Sequence, residues 1–141
     1  MVDKKIKVSI NGFGRIGRAF LKIAWERPEI EIVAVNDLGD INNLAYLLKY
    51  DTVYRTWHHD VKVEEDNLVI DGKKVKVFAQ KHATLLPWKE FDIDVVVEST
   101  GFFTSYEKSK VHIDAGAKKV VISAPSKGDG TVPGETILLG V

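Results

Sequence analysis

Between Ile10 and Arg18 the chain reads INGFGRIGR, which sets Gly12, Gly14 and Gly17 at the spacing G-x-G-x-x-G. Glycines at those intervals, directly after a strand and opening a helix, build a loop for a pyrophosphate. The first permits a tight turn. The second lets the backbone approach the phosphates with no Cβ in the way, and the third lets helix and strand pack closely. The helix N-terminus adds free N–H groups and a partial positive charge. Asp37 follows twenty residues after Gly17, at the end of the next apolar run. A carboxylate there can accept both hydroxyl protons of an adenosine ribose, and it repels a 2′-phosphate, which favours NAD over NADP. S-adenosylmethionine and FAD proteins use related loops, so the spacing alone leaves the nucleotide open.

Other reactive side chains are sparse. The chain has no cysteine, which removes disulfides, thiolate metal sites and cysteine nucleophiles from these residues. His58 and His59 are adjacent, and on a strand their rings would point to opposite faces, an awkward arrangement for a shared metal. No metal site is therefore expected. His112 falls within a helical pattern and reads as a packing or capping residue. Glu98 sits in a buried-strand pattern and reads as a structural carboxylate. Glu64, Glu65 and Asp66 read as a solvated hairpin turn. The loop from Ser126 to Gly130 lacks the G-K-[ST] of a phosphate-binding P-loop. Trp25, Trp57 and Trp88 carry no interleaved basic residues, so they read as core or interface and not as base-stacking platforms.

The elements that must hold the loop follow from the apolar pattern. Ile6 to Ile10 reads as a first strand, and Ile16, Ala19, Phe20 and Ile23 give a helix from Arg15 to about Glu26. Pro28 ends it. Glu31 to about Asn36 is a near-continuous apolar run of the kind found in parallel strands buried on both faces. Asp40 can cap a short helix through Leu48. From Val61 to Phe78 the pattern changes to alternation, with turn chemistry at Asp66-Asn67 and Asp71-Gly72, which predicts a small antiparallel excursion. Asp94 to Thr100 returns to the buried type. Ser105 can cap a helix running to about Ala115, with Gly116 ending it. KKVVISA and ETILLGV read as two further strands. The alternation of strand and helix predicts a doubly wound, mostly parallel α/β sheet.

The totals fit this reading. A chain of 141 residues is the size of one domain and buries roughly 68–70% of its unfolded surface. Lys plus Arg and Asp plus Glu both number 20, for a formal net charge of zero, which argues against nucleic acid as the main partner. No apolar run approaches the 18 or so residues of a membrane span, and the N-terminus lacks a signal-peptide pattern. A soluble cytoplasmic protein is the expectation.

The segments INGFGRIGR, VAVND, YLLKYDTVY, LPW, ESTGFF and GAKKVVISAPSKGDG occur in one order along the chain. In that order they resemble the N-terminal, NAD-binding part of glyceraldehyde-3-phosphate dehydrogenase. The resemblance implies a Rossmann-type domain over residues 1–141, with NAD as cofactor. It implies that the backbone of Arg15 and Ile16 serves the pyrophosphate and that Asp37 holds the adenosine ribose. Lys81 would lie near the adenine, and Thr100 and Gly101 along the dinucleotide. Ser123 and Ala124 would lie towards the nicotinamide ribose. Phe13, Asn36 and Ser99 complete the cofactor-binding set. The chain departs from the family at His82 and Ala83, where an acid and a proline are usual, and at YRTWHHD.

In that family a cysteine thiolate attacks the aldehyde, a histidine activates it, hydride passes to NAD, and phosphate cleaves the resulting thioester. Those residues belong to a second domain that follows the NAD-binding one. This chain is expected to lack that catalytic domain, to bind NAD without catalysis, and to expose apolar surface that drives self-association. Two alternatives stand beside this reading. One is a free-standing NAD-binding or interaction module without catalysis. The other is part of a dehydrogenase for another phosphorylated aldehyde, such as erythrose 4-phosphate.

Overall fold

Seven strands form the main sheet of the computed structural model, which describes residues 4–140. The chain begins with β1 (Ile6–Asn11), α1 (Arg15–Trp25), β2 (Ile30–Asn36) and α2 (Ile41–Lys49). A short ribbon, β3 (Tyr50–Asp51) and β4 (Arg55–Thr56), leads into β5 (Val61–Glu64), β6 (Asn67–Ile70) and β7 (Lys73–Phe78). A 3₁₀ turn at Ala83–Leu85, β8 (Val95–Glu98), α3 (Tyr106–Asp114) and β9 (Lys119–Ile122) follow. The order across the sheet is β5-β6-β7-β2-β1-β8-β9. From β7 to β9 every pair is parallel, while β5, β6 and β7 form two antiparallel hairpins. This is the doubly wound Rossmann-type sheet with its antiparallel excursion over 61–78.

Local chemistry accounts for the elements. Asp40 caps α2 by accepting the Asn43 N–H at 3.1 Å, and Ser105 caps α3 by accepting that of Lys108 at 3.2 Å. Gly116 takes φ +117° just past α3, a conformation that favours glycine. On β8, Val96 packs in one core with Trp88 and Ile93, whereas Val95 and Val97 join the other with Ile10, Leu21 and Leu48. Alternate residues of a strand face opposite ways, so both faces of the sheet are covered.

Four details differ from the sequence reading. The buried residues of α1 are Gly17, Leu21 and Ala24, and Ile16 and Ile23 face outward. Close packing of Gly17 against β1 sets the helix rotation and overrides the larger apolar side chains. The first hairpin turns at Glu65 and Asp66, one residue early, with Glu65 at φ +56°. ETILLGV forms no strand over the described residues 135–140; Val141 lies outside them. Its apolar run finds no partner strand, and Leu139 is 98% exposed. Finally, His58 and His59 lie on a bend and not on a strand, so their rings do not diverge. The ring centroids are 4.1 Å apart.

Candidate cofactor-binding site

The chain leaves β1 and turns at Gly12 (φ +93°), where an added Cβ would sit 2.7 Å from the Thr100 nitrogen. Only a glycine lets the loop pass so close to the end of β8. At Gly17 an added Cβ would collide with the Gly12 carbonyl oxygen, so this residue seats the helix on the loop. Gly14 is the opposite case, with nothing within 4 Å of its Cβ position. The glycine that packing does not require is the one facing open space.

Gly14 caps α1 without any side-chain hydrogen bond, and the first turn holds no acidic residue. The first helical bond runs from the Arg18 N–H to the Gly14 carbonyl, which leaves the N–H groups of Arg15, Ile16 and Gly17 outside the helical ladder. A helix N-terminus in this state attracts an anion.

Above these donors lies a groove of about 490 Å³. It is walled by the carboxyl ends of β1 (Asn11, Gly12), β2 (Asn36, Asp37, Leu38), β7 (Gln80, Lys81) and β8 (Ser99, Thr100), with Gly14, Ala83, Phe102 and Phe103 at its margins. The connection from β1 runs to β2 on one side, and β8 lies on the other. This is the point where a doubly wound sheet reverses direction and where such sheets bind ligands.

Asp37 is held in place on this wall. One carboxylate oxygen accepts the Phe13 N–H and the other the Gly39 N–H, both at 2.8 Å. Each oxygen keeps further lone-pair capacity. Phe13 itself is fully buried, so its backbone links the glycine loop to the acid.

Beneath the groove runs a chain of side-chain hydrogen bonds. Asn36 clasps the Gln80 backbone with both amide atoms (2.8 and 3.0 Å) and donates to Asn11 Oδ1 at 2.8 Å. Asn11 Nδ2 donates to Glu98 Oε2 at 2.7 Å. Glu98 also faces His112 Nε2 at 2.6 Å and accepts from the Thr100 N–H and hydroxyl at 3.0 and 2.6 Å. Trp88 closes the series by donating its indole N–H to His112 Nδ1 at 3.1 Å. An indole can only donate, so this network assigns the ring proton of His112 to Nε2, which donates to Glu98. Burial pushes the Glu98 carboxyl up, but the hydrogen bonds from His112, Thr100 and Asn11 outweigh it and hold the group below its ordinary range.

The expected cofactor residues are thus distributed as follows. Gly12, Gly14, Asn36, Asp37, Lys81, Ser99 and Thr100 share the groove. Phe13, Arg15, Ile16 and Gly17 support it or open onto it from the loop and α1, and Gly101 follows Thr100 at φ +82°. Ser123 and Ala124 follow β9, one strand further out, and are not among the groove's lining residues. The sequence reading did not single out Asn11, Leu38, Gln80, Phe102 or Phe103. A polar residue ending an otherwise apolar strand is the signal that marks Asn11.

Residues 6–106 match the family model described as the NAD binding domain of glyceraldehyde 3-phosphate dehydrogenase. The chain belongs to this family. NAD is accordingly the cofactor of its Rossmann-type domain. Similar proteins include the glyceraldehyde-3-phosphate dehydrogenase of Thermotoga maritima, 52% identical over 125 residues, a stretch covering 87% of this chain and 38% of that protein. The Geobacillus stearothermophilus enzyme is 51% identical over 136 residues, covering 96% of this chain and 39% of the relative. That of Clostridium pasteurianum is 54% identical over 123 residues, covering 87% and 37%. The chain therefore spans well under half the length of these glyceraldehyde-3-phosphate dehydrogenases. Among the described residues no helix is long and apolar enough to cross a membrane.

Proposed function

We propose that residues 1–141 form the NAD-binding half of a phosphorylating, NAD-dependent glyceraldehyde-3-phosphate dehydrogenase. On their own they hold the dinucleotide without oxidising an aldehyde. The observation that carries this reading is the placement of Asp37 and the open Gly14 on one groove at the sheet's reversal point. NAD supplies the hydride acceptor when bound, and the chain's part is to hold and orient it. The free N–H groups of Arg15 and Ile16 meet the pyrophosphate. Asp37, already aligned by Phe13 and Gly39, accepts the ribose hydroxyls and repels a 2′-phosphate. Lys81 borders the adenine end, and Ser99, Thr100 and Gly101 run along the dinucleotide towards Ser123 and Ala124. Catalysis in the family requires a cysteine, and these residues contain none. The aldehyde is therefore activated by groups outside these 141 residues.

Calorimetric titration of the chain with NAD and with NADP tests the reading. NAD should bind with a dissociation constant on the order of 0.1–1 mM and should be preferred over NADP. Asp37→Ala should weaken NAD by about 1.5–3 kcal/mol, roughly ten- to a hundredfold, and narrow the preference. Unchanged discrimination would remove Asp37 from the ribose site. Steady NADH production by the pure chain with aldehyde and phosphate would overturn the assignment of catalysis elsewhere.

A further inference from the structure

At the far end of α1 from the glycine loop, roughly 16 Å along an 11-residue helix, Glu26 meets the bend that carries His58 and His59. Glu26 Oε1 lies 2.5 Å from His59 Nε2 and 3.5 Å from His58 Nε2. All three ligand atoms fall within 4.8 Å of one another. His59 turns its other nitrogen, Nδ1, to the Asp71 carboxylate.

The bend is held from several sides. Lys49 Nζ donates to the carbonyls of Trp57 (2.8 Å) and His59 (2.7 Å), on either side of His58. The Trp57 N–H returns a bond to the Lys49 carbonyl at 2.8 Å. Asp71 Oδ1 accepts the Asp60 N–H at 2.9 Å. Both imidazoles are therefore presented by fixed backbone.

The protonation pattern makes the arrangement unusual. A neutral His59 ring carries one N–H and faces a carboxylate from each nitrogen, so one of its nitrogens must aim a lone pair at a carboxylate oxygen, that of Glu26 when Nδ1–H donates to Asp71. Two acceptors at that distance repel unless a positive charge lies between them. His58 Nε2, 3.5 Å from the same oxygen, brings a third ligand atom to the place. The charge can be a proton or a metal ion.

We propose that Glu26, His58 and His59 bind one divalent transition-metal ion of the zinc class, with Asp71 as the outer carboxylate that orients His59. Two imidazole nitrogens and one carboxylate suit zinc and its neighbours and not magnesium or calcium, which take oxygen ligands. Bonds of about 2.0–2.1 Å in a tetrahedron place ligand atoms about 3.4 Å apart. The His58–Glu26 separation already matches, and the His59–Glu26 pair opens by about an ångström to admit the ion. Three protein ligands leave one position for water. An Asp–His–metal relay of this kind fixes the ring and raises its basicity. The ion would tie the end of α1 to the 57–60 bend and, through Asp71, to the β6–β7 turn, remote from the cofactor groove.

Zinc chloride titrated calorimetrically into the metal-stripped 141-residue chain should bind at one ion per chain. His58 is 75% exposed, so His58→Ala folds and should bind at least about tenfold more weakly. Asp71→Asn should show a similar loss, and His82→Ala should match the parent chain. Cobalt(II) in place of zinc should give the intense visible absorption of a four-coordinate ion and quench Trp57, whose ring lies 4.6 Å from that of His59. No binding to the folded chain, binding indifferent to His58→Ala, or equal loss in His82→Ala would overturn the proposal. The Glu26–His59 pair would then be an ordinary proton-bridged ion pair.

Discussion

Gly14 and Gly17 lie three residues apart, and a methyl group added to each meets different surroundings. At Gly17 it meets the Gly12 backbone oxygen, with Ile10 Cγ2 at 3.1 Å, and neither can move without displacing the loop. Gly17→Ala should therefore destabilise the fold by about 1–3 kcal/mol, the usual cost of overpacking, and should weaken NAD as a consequence. At Gly14 the methyl meets nothing, and the conformation there needs no positive φ. Gly14→Ala should lose less than about 1 kcal/mol of stability, the scale of an N-cap substitution, yet weaken NAD at least tenfold. Urea denaturation and NAD titration on the two variants separate the roles. Equal NAD affinity in Gly14→Ala and the parent would mean that the pyrophosphate does not approach over this residue. Both roles are legible in INGFGRIGR, because glycine spacing maps directly onto backbone clearance. The convergence of His58, His59 and Glu26 was not legible. It depends on a bend pinned by Lys49 and on a helix end 32 residues earlier in the chain than His58.

Among the elements, helices and parallel strands carried the clearest sequence signal. Asp40 and Ser105 cap where their side chains predict, and the runs read as buried strands near 31–36, 94–100 and 118–124 supplied the parallel strands β2, β8 and β9. ETILLGV also carries an apolar run and forms no strand over its described residues 135–140, because a strand needs a neighbour as well as an apolar run. The strand ends hold what pattern reading undervalues, namely the Asn36–Asn11–Glu98–His112–Trp88 series that ties β2, β1, β8 and α3 together. The carboxyl of Glu98 is depressed in the fold relative to about 4.3 in an unfolded chain. Its contribution is therefore present above the unfolded value and is lost as pH falls through that value towards the lower folded one. Glu98→Gln should abolish this part of the acid sensitivity. It should also cost about 1–3 kcal/mol at neutral pH, because an amide cannot satisfy the donors of His112, Asn11 and Thr100 together. Urea midpoints measured from pH 7 down to pH 3 check both statements. Parallel curves for the two proteins would show that Glu98 does not titrate with folding.

At the scale of the whole molecule, the distribution of apolar surface sets the expectation. β9 pairs with β8 along one edge, and among the described residues no strand pairs with the other. Val121 on β9 is exposed, as are Ile137, Leu138 and Leu139 beyond it and Phe102 after β8. An unpaired, partly apolar edge strand is a template for pairing with another chain, and grouped apolar side chains add to the drive. The edge's own defence is limited to the charges of Lys118 and Lys119 at its start. The isolated chain should therefore associate as its concentration rises. In sedimentation velocity the weight-average coefficient should climb across a hundredfold dilution series. Val121→Lys, which places a charge on the exposed edge without touching the groove, should suppress the climb and leave NAD affinity as it was. A single compact monomer at every concentration would show that Val121 and the 137–139 run do not recruit a second chain. An association that survives Val121→Lys would move the contact to other exposed apolar side chains, such as Tyr46 and Tyr50, whose tilted rings lie 5.0 Å apart, and Val53 and Tyr54.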